Sequence, residues 1–255
     1  MNTNNNVYTV VYTTVIVVIV AAVLAFVSQS LKPMQEANEQ AETISQILTA
    51  AQFGEKDHWQ ELGNKKTIEF FKENIEGEPQ IVSPSDLKAI NYKIKAGEAG
   101  EQLPVYTFNN GVTVIPVYGA GLWGPVWGFI ALDTDYQTIV GAYFDHEGET
   151  PGLGGKIKDD PAFRALFAGK KIDFSEGAKP FEIVKNGTAK KLDMTSKVDA
   201  ISGATMTSGG LDAAINVWLG AYLPSLKAAQ AIAAEAASEA AVAAQDTVVT
   251  ENVEE

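Results

Sequence analysis

The segment "DAISGATMTSGG", residues 199–210, gathers four hydroxyls (Ser202, Thr205, Thr207 and Ser208) among three glycines, directly before an amphipathic stretch. A turn uses one or two such residues, and a helix N-cap uses one, here Thr207 or Ser208. Capping therefore leaves a surplus. Gly203 and Ala204 crowd small groups beside Thr205, as expected where a large group reaches its side chain. The first amides of a helix and its positive end make this a place for a phosphate.

A second candidate is "ETPGLGG", residues 149–155, where three glycines and a proline surround one leucine. Such a loop is preshaped and bare, and lets a flat ligand approach the main chain. An ordinary Gly-rich connection fits equally well. Three other patterns fail on physical grounds. "GAGLWG" spells a dinucleotide fingerprint, but Pro125 and the strand-like "VWGFIAL" follow it, where a helix is required. "GLGGK" has Thr150 at the position of the first P-loop glycine and Ile157 in place of Ser or Thr. "DHEGE", residues 145–149, holds metal-ligand types without a second nearby histidine or an HExxH pattern. It reads as a solvated strand-end loop.

These segments need a scaffold. "KKTIEFFKENI" reads as a short helix, and "AINYKIK" as a strand alternating Ile90, Tyr92 and Ile94. Asn110-Gly111 between apolar runs predicts a hairpin. "VWGFIALD" and "TIVGAYFD" add strands, and Asn186-Gly187 predicts another hairpin. "PAFRALFAGK" reads as a helix with Pro161 at its start and Gly169 at its end. In the closing helix Leu211, Ile215, Trp218, Leu219 and Tyr222 form one apolar face. Past Pro224 the Ala- and Glu-rich chain reads as a frayed helix or disordered tail.

The N-terminus carries the apolar run "VYTVVYTTVIVVIVAAVLAFV", with no charged residue before Lys32. Its length matches a bilayer core, and Tyr8 and Tyr12 suit the interface. A signal peptide cleaved near "SQS" is the rival, but the run is long and the basic n-region is missing. An uncleaved anchor is favoured. Only Lys32 and Lys56 lie near the span, so charge leaves the orientation open. A helix is expected to leave the membrane through Met34, Ala37, Ala41, Ile44, Leu48 and Ala51.

The chain has 255 residues, 46% of them hydrophobic, enough for one sizeable core or two small ones. Its net charge of −13 argues against nucleic acid as a partner. With no cysteine, disulfides, cysteine-ligated iron–sulfur clusters and thiolate nucleophiles are excluded. Two histidines, His58 and His146, remain for acid–base work.

"DAISGAT" resembles the Asp-x-x-Ser/Thr-Gly-Ala-Thr motif of FMN-binding domains, whose final threonine carries FMN through a phosphoester. "GETPGLGG", "GLWGPVWGFIALDTD", "LKPMQEANEQ" and "VWLG" further resemble the C subunits of sodium-pumping NADH:quinone oxidoreductases, over about residues 7–223. The post-membrane helix and "GLW" favour these over the related G subunits of Rnf complexes. The span departs from the family in lacking flanking basic residues, and the Ala/Glu tail extends past its expected end.

The resemblance implies an α+β fold: a single N-terminal transmembrane helix (1–31), one extracytoplasmic FMN-binding domain of mainly antiparallel sheet with flanking helices (32–224), and a tail (225–255). It implies FMN bound covalently through its phosphate to Thr205. Asp199, Ser202, Gly203 and Ala204 would complete the motif read by a separate flavin transferase. Glu149, Thr150, Gly152, Leu153 and Gly154 would line the ring, with Leu122 and Trp123 nearby. No catalytic residue and no metal site are expected. The chain would be an electron carrier in the inner membrane, its domain periplasmic, its partners the lipid bilayer and the other subunits of the complex. A G-type Rnf subunit, or a non-redox extracytoplasmic binding or assembly module, are the alternatives. A threonine hydroxyl with no His or Lys beside it in sequence is a poor unaided nucleophile, so an external transferase is chemically reasonable.

Overall fold

The computed structural model describes residues 6–98, 103–185 and 193–251. Helix α1 (Asn6–Ala50) runs unbroken through Pro33. Its first 35 or so residues are bare, and it becomes buried only from Ala41 to Ala50. Met34 and Ala37, on the helix expected from their spacing, are exposed, because the domain begins one turn further on. Among the described residues α1 is the one helix long and apolar enough to cross a membrane. Such a helix suits a single-pass membrane protein.

Short helices α2 (Lys56–Leu62) and α3 (Asn64–Asn74) pack against the buried end of α1. Helix α4 (Pro84–Ala96) follows, and here the structure corrects the strand expected for "AINYKIK". The local signals for a helix are complete. Pro84 starts it, and Ser83 Oγ accepts from the Asp86 amide at 3.2 Å while Asp86 Oδ2 accepts from the Ser83 amide at 3.0 Å. Gly97 ends it at φ 75°. Leu87 and Asn91, four residues apart, form its buried face.

Four antiparallel strands come next: β1 (Tyr106–Thr107), β2 (Thr113–Ala120), β3 (Pro125–Leu132) and β4 (Ile139–His146), adjacent in chain order. The Asn110-Gly111 hairpin joins β1 to β2 with Tyr106 opposite Val114. Nearly every residue of β2 and β4 is buried, so both sheet faces are covered. The end of α1 covers β3 and β4, while α4 and α7 lie against β2. Helices α5 (Lys156–Asp159) and α6 (Pro161–Ala165) pack on β4. The helix at Pro161 is thus shorter than expected.

Strand β5 (Glu182–Val184) pairs in parallel with β6 (Lys197–Asp199); the expected Asn186-Gly187 turn lies outside the described residues. Helix α7 (Thr205–Glu251) closes the domain and continues through Pro224. Leu211, Ile215, Trp218, Leu219 and Tyr222 are all buried, as their spacing predicts. Its first turns lie so close to β2 that a Cβ on Gly210 would sit 2.2 Å from the Ala120 carbonyl oxygen. Only glycine permits that approach, which locks the start of α7 to the β2–β3 hairpin.

Candidate functional site

The β2–β3 turn (121–124), the loop after β4 (149–155) and the start of α7 meet at one carboxylate. Glu149 is buried. Its Oε1 accepts from the amides of Leu122 (2.7 Å) and Trp123 (2.9 Å), and its Oε2 from the Thr207 hydroxyl (2.5 Å). Its own amide donates to His146 Nδ1 at 3.1 Å. Burial alone would push this carboxyl up. The hydrogen bonds from Thr207, Trp123 and Leu122, with a smaller contribution from His146, outweigh it and hold the group below the ordinary carboxylate value. Glu149 is therefore a fixed anion held by hydrogen bonds.

Two glycines make room for it. A Cβ on Gly121 would sit 2.4 Å from Glu149 Oε1, and one on Gly154 would sit 2.4 Å from Oε2 and 2.5 Å from Thr207 Oγ1. The glycines of "GAGLWG" thus serve a tight strand turn around a buried side chain. Thr207 and Ser208 do not cap α7 either, because the helix already starts at Thr205. Both are buried; Ser208 Oγ accepts from the Ile201 amide at 3.2 Å.

The surface above is different in kind. Thr205 is exposed at the first position of α7. Its amide and those of Met206 and Thr207 make no hydrogen bond among the described residues. Around them stand exposed apolar side chains: Leu122, Trp123 (69% exposed), Leu153 and Met206. Leu153 reaches the 199–204 segment, where its Cδ2 lies 3.2 Å from the position of a Cβ on Gly203, which holds φ at 80°. Ser202, Thr150 and Gly152 are exposed, while Ala204 and Gly154 are buried. Asp199 sits on β6, and its Oδ1 is buried without a hydrogen-bonding partner.

The structure thus brings Leu122, Trp123, Glu149, Gly154 and Thr207 into direct contact or across one atom, and Leu153 over Gly203. It places Thr150 and Gly152 on the same loop, away from hydrogen bonding with the Thr205 segment among the described residues. Sequence reasoning misses Met206, and it names His146 without its role as acceptor of the Glu149 amide, which only strand register and helix phase reveal. "DHEGE" is solvated only at Glu147 and Gly148, between two buried carboxylates. Asp145 is buried and paired with Lys158 Nζ at 2.8 Å, and it accepts from Gln46 Nε2 at 3.0 Å. Among the described residues no group of side chains could hold a metal ion.

Comparison with known proteins bears on the family. Residues 121–220 match the FMN-binding domain family. Curated relatives include the C subunit of the Na(+)-translocating NADH-quinone reductase of Vibrio campbellii, 42% identical over 121 residues, and that of Pseudomonas aeruginosa, 39% identical over 124 residues. The match covers 46% of this chain in both cases, and 45% and 47% of the two relatives, so under half of each is spanned. Solved structures extend it. The corresponding C subunit of Parabacteroides distasonis superposes with a TM-score of 0.62 at 31% identity, covering 77% of this chain and 96% of that one. NqrC of Shewanella oneidensis does so with a TM-score of 0.54 at 25% identity, covering 75% and 99%. Motif, fold and extent converge: the chain belongs to the family of C subunits of the Na(+)-translocating NADH-quinone reductase.

Proposed function

We propose that this chain is a membrane-anchored electron carrier whose FMN is esterified through its phosphate to Thr205. The observation that carries the reading is the exposed Thr205 hydroxyl, beside unpartnered amides at a helix start and within a rim of exposed apolar side chains. These residues fit the group. The amides and positive end of α7 suit a phosphate. Leu122, Trp123, Leu153 and Met206 suit one face of a flat ring system, which would also account for so much exposed apolar surface in one place.

FMN, when bound, supplies reversible electron transfer. The chain's own residues do the rest. Thr205 anchors, and Gly203 keeps its approach open. The Glu149 carboxylate fixes the 121–124 turn against α7, so the rim cannot drift. Its negative charge lies below that rim and would favour the less negative state of any group held there. Asp199, Ser202, Gly203 and Ala204 would be read by a separate flavin transferase.

In this reading α1 anchors the chain in the inner membrane with the domain on the periplasmic side. The chain works with other subunits in a complex that couples NADH:quinone oxidoreduction to sodium transport. No nicotinamide site accompanies the 121–124 turn, so the isolated subunit is not expected to oxidise NADH.

The test is the intact mass of protein from its native membrane, with in-gel fluorescence after denaturation. The wild type should carry the mass of FMN less one water, and Thr205→Val should carry none while remaining folded. Fluorescence that persists on Thr205→Val but disappears on Thr207→Val would move the ester to the wrong hydroxyl for this reading.

A further inference from the structure

Between α4 and the β2–β3 hairpin lies an open groove of about 800 Å³. Lys88, Asn91, Tyr92 and Lys95 all line it. As a helix, this stretch presents them on one face, one and two turns apart.

Asn91 is more than nine-tenths buried, with 8% exposure. Its Oδ1 accepts from Trp218 Nε1 at 3.1 Å. The indole N–H can only donate and is shared between this oxygen and the Tyr118 carbonyl at 2.9 Å, so the oxygen of the amide faces it and Nδ2 is the group left over. Nδ2 has no hydrogen bond among the described residues. Nδ2 is not among the fully buried unpartnered atoms and belongs to a residue that lines the groove, so this donor is open to a guest there.

Charge agrees with it. Lys88 and Lys95 form no ion pair among the described residues, on a chain whose net charge is −13. Tyr92, 75% exposed, and Trp127 add aromatic surface. Glu147 stands on the strand side, so an acidic guest group belongs on the helix side, between the lysines.

We propose that this groove docks an acidic segment of a neighbouring protein subunit. One carboxylate accepts from Asn91 Nδ2 between the two ammonium groups, and an adjacent apolar residue lies on Tyr92 and Trp127. Gly119, Ala120 and Pro125 also line the groove, and they flank the turn that carries Leu122 and Trp123. A docked subunit therefore lies beside the rim around Thr205, where a redox partner is needed. This location rests on the electron-carrier reading.

The experiment uses the full chain in its native membrane complex, with Tyr92→p-benzoylphenylalanine as a photocrosslinker. Mass spectrometry should identify a peptide of another subunit containing at least two Asp or Glu. In the same complex, Lys88→Glu with Lys95→Glu should remove that crosslink and lower quinone reductase turnover about tenfold at low ionic strength. Asn91→Asp, which still accepts from Trp218, should weaken the crosslink in the same direction. No crosslink, or one to lipid, to a second copy or to this chain's own tail, would overturn the proposal. So would a crosslink and turnover that ignore the charge reversal. Flavin fluorescence of the same band is read separately: its absence would sink the carrier reading and leave the docking result standing.

Discussion

Asp145 and Glu149 are four residues apart, equally buried, and held in opposite ways. Asp145 pairs with a cation, Lys158, and with Gln46 of α1. Gln46 Oε1 in turn accepts from Trp127 Nε1 at 3.3 Å. This carboxylate ties α1 to β3, β4 and α5. Glu149 has no Lys or Arg partner among the described residues; two amides and a hydroxyl hold it. It ties together the three segments around Thr205. Neutral donors keep a charge ionised without cancelling it, whereas a lysine does cancel it. The first carboxylate is therefore scaffold, and the second can also be felt by a neighbouring redox group.

Glu149→Ala should have the largest effect. It strips three donors of their acceptor, at about 3 kcal/mol of unfolding free energy, measurable by chemical denaturation. On the proposed reading, in which the ester lies on α7, the flavin should stay attached but with a shifted absorption spectrum. An unmoved midpoint and spectrum would show that Glu149 does not organise the rim.

Asp145→Asn should come next, at about 2 kcal/mol, because Lys158 loses its counter-charge. Here the spectrum should not change. A shift as large as that of Glu149→Ala would mean the two carboxylates cannot be separated, and the contrast would fail.

Thr207→Val isolates one bond, at about 1 kcal/mol. Glu149 is held below its ordinary value, so its bonds add stability above that value, which is lost as pH falls through the lower folded one. Without the hydroxyl the folded value rises. Denaturation midpoints of wild type and variant should differ at neutral pH and converge in acid. A gap that is constant with pH would assign the effect to packing alone.

Leu153→Ala is the mildest. The side chain is 45% exposed, so stability should change by less than about 0.5 kcal/mol. The flavin's spectrum or potential should move nonetheless. If neither does, the ring lies on another part of the rim.

The strands and the closing helix can be read in advance because alternation, Asn-Gly turns and three-to-four spacing are local signals. The surplus of hydroxyls around Thr205 is visible in advance, but not that Thr207 and Ser208 are buried in structural hydrogen bonds. Helix α4 misleads because Ile90, Tyr92 and Ile94 also alternate; the deciding residues, Ser83, Pro84, Asp86 and Gly97, flank that triplet. The roles of Asp145, Glu149 and Thr207 are not legible, because each is defined by partners 13 to 99 positions away. Gly121 and Gly154 look like loop glycines until the carboxylate between them is seen.

The unbroken course of α1 sets a height. Roughly thirteen residues separate the end of the apolar run from Ala41, where burial begins. At 1.5 Å per residue that is a rigid spacer of about 20 Å. A flexible linker would let the domain sample many distances from the bilayer. On the proposed reading of α1 as a membrane anchor, a mast holds it at one; swivelling about the helix axis would move a redox centre only sideways, and bending at Pro33 would bring it nearer to the membrane.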